Sequence, residues 1–382
     1  MKRFVIAVLL LLAISAGVFI LWMRSGGGAV VELTDEQVAA ARDSGEGSKA
    51  IEVKSAPEEA KLPTLEDLKE VVDRAELNRM AKAITDARMA AQDEDRWLLT
   101  VLLAETERLR GNAAEANDLA RAGAEALPRN SRARLVYANT ILSKIVRDAQ
   151  GGGVGALLKQ LGPTKNYKAE LEAAVELDPA NLDARVAQII VLAFAPFPVG
   201  DKKRAKGLVE ELGTYDELRR DFWRAQLLAV DKKKGDEALA AFRALGEAHP
   251  EDADIQFAIG DLLFKRKDWG GAAAVFDLLA GEPWTRQGFN ALYQAAKCRE
   301  KGGFELEKAL AMLLQFEEAK PVGELMPSMD RVKYHQGIVL RKLDRFDEAL
   351  AAFRAALELS PNEKRFQTAI DEVTELIEAK NL

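Results

Sequence analysis

One short pattern recurs along this chain and restricts its fold more than any other feature. Between Arg345 and Pro361 the order runs Ala349, Phe353, Ala356 and Pro361, with the first three at the spacing that lines one helix face. Ala238, Phe242 and Pro250 fall at matching offsets, as do Leu171, Ala174 and Pro179, and again Ala116 and Pro128. A small residue lets a neighbouring helix come close, an aromatic fills the gap beyond it, and proline ends the helix because it cannot continue the hydrogen-bond ladder. A unit of this kind cannot bury its own apolar face. It has to stack on copies of itself.

The closing prolines give the register. Pro128 and Pro179 are 51 residues apart, Pro179 and Pro250 are 71, Pro250 and Pro321 are 71, and Pro321 and Pro361 are 40. Each 71-residue gap holds two units, the extra ones being Leu182 to Gly213, broken at Ala195-Pro196-Phe197-Pro198, and Ala253 to Trp284, broken at Asp268-Trp269. The 51-residue gap holds one unit with an insertion at about 149–165, marked by Gly151-Gly152-Gly153 and running to Pro163. About seven helical hairpins follow a helical lead-in from Thr64 to Ala91. After Pro361, Phe366, Ile370, Val373 and Ile377 predict a capping helix over 362–380, polar on its outer face.

These hairpins resemble the tetratricopeptide repeat, whose second helix carries Ala, Phe, Ala and a closing Pro. In its first helix Gly260 and Gly337 take the family's glycine place and Leu263 and Leu340 the following large one, whereas Gln226 and Lys297 depart from it. The resemblance runs from about Asp93 to Pro361 and implies an all-α, right-handed α-solenoid that binds a protein or peptide in a concave groove. Carried over residue by residue, the groove positions are Leu135, Val186, Trp223, Phe257, Gln294 and Tyr334, with Arg132, Arg220 and Arg331 one helical turn before three of them. Aromatic anchors beside arginine suit a peptide or partner helix, while packing within the stack is the competing role for the same aromatics. The Lys and Asn of the family's chaperone-binding clamp are absent at matching places.

The N-terminal region is of another kind. Phe4 to Met23 is a twenty-residue run without charge, after Lys2 and Arg3 and before Arg24. At the helical rise it spans a bilayer of about 30 Å, so residues 1–24 read as a transmembrane anchor. A cleavable signal ending near Ala13-Ile14-Ser15-Ala16 is the alternative, against which the apolar run continues through Trp22. No cysteine follows the run, which excludes a lipid-modified terminus. Residues 25–63 are poor in apolar side chains and read as a flexible tether with a reach on the order of 35 Å, leaving 64–382 as the solenoid. Basic residues favour a cytoplasmic N-terminus and a solenoid on the periplasmic side of a bacterial inner membrane.

Composition removes several classes of function. With 54 basic and 61 acidic residues the net charge is −7, which disfavours nucleic acid as a partner. One cysteine, Cys298, and two histidines, His249 and His335, build neither a disulfide framework nor a structural zinc site within one chain. Cys298 reads as a small buried hydrophobe. The glycine cluster at 151–155 lacks the Lys-Ser/Thr of a phosphate loop, and no nucleophile, base and orienter stand together, so neither cofactor nor catalysis is expected. What remains is a membrane-tethered interaction scaffold or chaperone-like adaptor serving envelope assembly, secretion, pilus or motility machinery. Two alternatives stay open. One is a cytoplasm-facing regulator of a membrane enzyme, although the four-cysteine module of the regulators it resembles is missing after Pro361. The other is an enzyme with a site in the insertion or the Pro196 loop. Oligomeric state is not readable from the chain.

Overall fold

The computed structural model of the protein describes residues 62–149, 161–195, 200–281, 285–323 and 326–380. Among these run seventeen α-helices, a short 3-10 turn at Lys232–Lys234, and no strand. The proposed membrane span at residues 4–23 and the tether up to residue 61 lie outside the described residues. Within them no helix is long and apolar enough to cross a membrane.

Chain contacts divide the molecule into two units, one ending at Leu227 and one beginning at Leu228. The first opens with the lead-in helices α1 (Leu65–Glu70) and α2 (Arg74–Ala90), then α3 (Asp93–Arg110), α4 (Ala113–Ala126), α5 (Ser131–Ala149), α6 (Leu161–Leu177), α7 (Leu182–Phe194) and α8 (Lys202–Leu212). Helix α9 (Glu217–Ala229) crosses the division. The second unit holds α10 (Gly235–Ala248), α11 (Ala253–Lys265), α12 (Trp269–Leu279), α13 (Arg286–Gly302), α14 (Leu306–Ala319), α15 (Met329–Lys342), α16 (Phe346–Leu359) and α17 (Lys364–Lys380). Taken in pairs, α3 to α8 form three hairpins in the first unit and α11 to α16 three in the second, and α17 packs on the last of them.

Within each unit the packing is between neighbours in the chain. Helices α3 to α8 each contact the next, as do α10 to α17, and alternate first helices also meet, α3 with α5, α11 with α13 and α13 with α15. Each hairpin therefore buries its apolar face on the ones beside it.

The repeated residue types act as their chemistry requires. Ala349, Phe353 and Ala356 are fully buried, as are Ala238 and Phe242. Gly337 sits so close to its partner helix that a Cβ there would come within 2.6 Å of the Phe353 ring, and one on Gly260 within 2.8 Å of Phe276. Helices α4, α6, α10, α14 and α16 each stop two residues short of a closing proline, at Ala126, Leu177, Ala248, Ala319 and Leu359. The cause is local, because proline pushes the residue before it out of the helical region. Leu127, His249 and Ser360 accordingly share one non-helical conformation, with φ of −115, −134 and −142 and ψ of 63, 67 and 77, whereas Lys320 before Pro321 is left-handed, with φ 44 and ψ 51.

A polar staple joins three helices of the second unit. Arg299 of α13, 2% exposed, donates two parallel bonds to Asp277 of α12 at 3.0 and 2.6 Å and one to Glu305, before α14, at 2.8 Å. Such forked pairing suits guanidinium and not ammonium.

One boundary is corrected. Residues 161–165, placed by spacing in the insertion, are the first turn of α6. Pro163 fits there because the first N–H groups of a helix have no partner inside it. The glycine cluster at 151–155 and the Pro196 loop to Val199 lie outside the described residues.

Candidate functional site

The residues that family position assigns to a groove do not form one surface. Trp223 on α9 is fully buried, with its ring edge-on to Phe222 at 5.8 Å, and Phe257 on α11 is 2% exposed against Phe276 at 4.9 Å. Val186 on α7 is buried as well. These three belong to the core, not to an open groove. Helix geometry supplies the reason, since residues three apart share a face. Phe257 lies three before Gly260, which is crossed by Phe276, so both must point at α12. Tyr334 lies three before Gly337 and likewise rests on Phe353, at 5.6 Å, yet it stays half-buried.

The other assigned residues keep some access. Leu135 and Arg132 are half-buried on α5, Gln294 is half-buried on α13, and Arg331 is exposed on α15. Arg220 is half-buried and held by Asp221 at 2.8 Å and Glu217 at 3.5 Å, so its charge is already answered within α9.

Stacking brings together a different set in the second unit. Trp269 meets Phe264 edge-on at 4.8 Å. The ammonium of Lys297 lies 5.1 Å from the Phe264 ring centre and 5.3 Å from that of Tyr293, and donates to Gln294 Oε1 at 3.2 Å. Tyr293 then meets His335 at 5.5 Å, His335 meets Tyr334 at 5.7 Å, and Tyr334 meets Phe366 of the cap at 5.2 Å. The guanidinium of Arg365 covers Tyr334 at 5.2 Å and Phe366 at 5.0 Å. The result is a ladder of rings across α11, α13, α15 and α17, with a cation at Lys297 and another at Arg365. Phe264, Lys297, Tyr334 and His335 are half-buried, and Arg365 and Arg331 are exposed at its end.

Each cation over a ring contributes about 0.5–2 kcal/mol, more as water is excluded. Burial pulls the Lys297 ammonium below its usual range, against the pull of Glu300 and Asp261. Burial likewise pushes the Tyr293 hydroxyl well above the usual phenol range. With Tyr293 and Phe366 buried, what reaches the surface is part of Phe264 and Tyr334 beside the positive charge of Lys297 and Arg365, a combination suited to a chain segment bearing carboxylates beside apolar side chains.

Chemistry of another sort finds little footing there. The Cys298 thiol is pushed up to about 12 by burial, which keeps it in the unreactive thiol form. Among the described residues no group of three or more His, Cys, Asp or Glu is placed to hold a metal ion.

Comparison with known proteins bears on the fold. A family model described as the tetratricopeptide repeat matches residues 227–286 and 305–364. The structure is similar to that of yeast Tom70, with a TM-score of 0.61 and 13% identity, covering 87% of this chain and 67% of that one. Weaker likeness extends to a tetratricopeptide repeat protein from Parabacteroides merdae, TM-score 0.38 at 12% identity over 79% of this chain and 94% of that one. The type IV pilus biogenesis factor PilW gives 0.42 at 15% identity over 61% and 98%. No curated protein matches the sequence. The fold is an all-α helical-repeat solenoid of tetratricopeptide type, with the family pattern strongest in the second unit.

Proposed function

We propose that this chain is a protein-interaction scaffold whose second unit holds its partner on the ladder from Phe264 to Arg365. The observation that carries this reading is the placement of Lys297 and Arg365 over Phe264, Tyr293 and Tyr334, of which Tyr293 is buried, Phe264, Lys297 and Tyr334 are half-buried and Arg365 is exposed. The partner is an extended segment or helix of another protein, acidic with interspersed apolar residues. Residues 4–23 tether the scaffold to a bacterial inner membrane, with the N-terminus in the cytoplasm and the repeats in the periplasm. Support for that arrangement is the uncharged run itself and the basic residues before it.

A photo-activated crosslinker at Arg331 in the full chain, expressed in cells, tests the face. The reading expects an adduct that Arg365→Glu abolishes, while a crosslinker at Leu278, an exposed residue of α12 away from the ladder, gives none. Equal adducts from both places, or adducts indifferent to Arg365→Glu, would count against it. Fusing alkaline phosphatase to the C-terminus tests the side of the membrane. Activity supports the periplasmic arrangement, and silence favours the cytoplasm-facing regulator.

A further inference from the structure

The joint between the last two hairpins contains a buried acid and base, of which the base, His335, also stands in the ladder. His335 of α15, its side chain 13% exposed, directs Nδ1 at a carboxylate oxygen of Glu300 on α13, which is 1% exposed. Lys342 of α15 donates to the main-chain carbonyl of the same Glu300. In the neutral ring Nδ1–H donates to the carboxylate, and a second proton has only Nε2 to occupy. The charged groups facing this imidazole from α13 are Glu300 and, against a further positive charge, Lys297 and Lys301, the last 3.2 Å from the Glu300 carboxylate. Its own helix adds Arg331 and Lys342, and α17 adds Arg365 over the adjoining Tyr334. From α14, Glu317 is engaged by Lys333 at 2.5 Å and Gln336 at 2.8 Å, and α16 presents the Phe353 ring.

We infer that this joint is a proton-sensitive hinge, at which mild acid loosens α15, α16 and α17 from α13. The added charge would enter a site walled by Tyr293 and Tyr334, with lysines on one side. Burial lowers the His335 ring from its ordinary 6.5, in spite of Glu300. The opened joint therefore binds the proton more tightly than the closed one. Stability is fully present above the ordinary value and is lost as pH falls from there through the lowered one. Burial raises Glu300, but His335 and Lys301 outweigh it and leave the carboxyl below its ordinary 4.5, so its contribution falls in acid too, in a lower window. If the interaction reading holds, acid also releases the partner, because Tyr334 and Arg365 lie on the part that moves.

The test needs no partner, so it can fail independently of that reading. The full chain in detergent is titrated from about pH 7.5 to about pH 5, the span in which histidine changes charge, with histidine NMR and amide exchange corrected for intrinsic rates. Only His249 and His335 contribute histidine signals, and His335→Gln assigns them. The expected result is a His335 titration below 6.5 together with faster exchange in α15–α17, up to about tenfold for each unit separating opened and closed values, and no such rise in His335→Gln. Unchanged protection, or an equal rise in His335→Gln, overturns the inference. Should that variant fail to fold, Glu300→Gln replaces it. Removing the carboxylate must move the His335 titration and the loosening together to lower pH, and a window that stays put overturns the inference as well.

Discussion

Two kinds of hairpin stand next to one another in the second unit. In α11/α12 and α15/α16 a glycine lies under an aromatic, Gly260 below Phe276 and Gly337 below Phe353. In α13/α14 the glycine place is taken by Lys297 and the aromatic place by Leu313, while an aromatic, Phe316, appears one turn later, where α16 has Ala356. Phe316 is fully buried and reaches Phe289 at 6.1 Å and Tyr293 at 6.0 Å. Moving the ring by one turn fills the core from another point and leaves room for a lysine stem at the crossing. The hairpin that departs from the pattern is the one that places a cation, Lys297, between the rings of Phe264 and Tyr293.

The largest effects should come from the two aromatics. Phe353→Ala and Phe316→Ala are each expected to cost about 3–5 kcal/mol, read as the free energy of exchange in α13–α17. Similar losses support the exchange of one ring position for the other, whereas a cost below about 1 kcal/mol for Phe316 breaks the comparison. Arg299→Ala should cost less, about 1–3 kcal/mol, since Asp277 is partly exposed and keeps Lys308 at 2.8 Å, and Arg299→Lys should restore only part for want of a fork. Gly337→Ala and Gly260→Ala come next, at about 1–3 kcal/mol from overpacking against Phe353 and Phe276. Lys297→Met should be smallest, within about 1 kcal/mol by urea titration, because the lost ring contacts are offset by removal of a half-buried charge. The same variant should nonetheless weaken partner capture. A Lys297 variant as costly as Gly337→Ala would mean that its stem is core after all.

The all-α helical-repeat fold and most helix ends were legible because their signals are local. A small residue, an aromatic and a proline at fixed offsets specify where one helix crosses another and where it stops. The interaction face was less legible. Phe257 points inward because the partner helix crosses three residues later, at Gly260, a fact of pairing that position in a motif does not carry. Phe264 and Lys297 are 33 residues apart, and Tyr293 and His335 are 42 apart, so only stacking unites them. His335 shows no metal or catalytic neighbour in sequence, and Glu300 looks like any helix-surface acid. One sign was nonetheless visible. Lys297 departs from the glycine expected at its place, and that departure marks the centre of the ladder.

The five closing prolines carry a meaning for how such a chain can change over generations. Each stop signal travels with the hairpin it ends, and the residue before it takes much the same form at Leu127, His249 and Ser360. A duplication or deletion cut at these points would leave the neighbours' helix ends intact, so copy number can drift while the junctions stay readable. Novelty then needs only a substitution inside one copy, of the sort seen at Lys297, with the flanking copies to hold it in place.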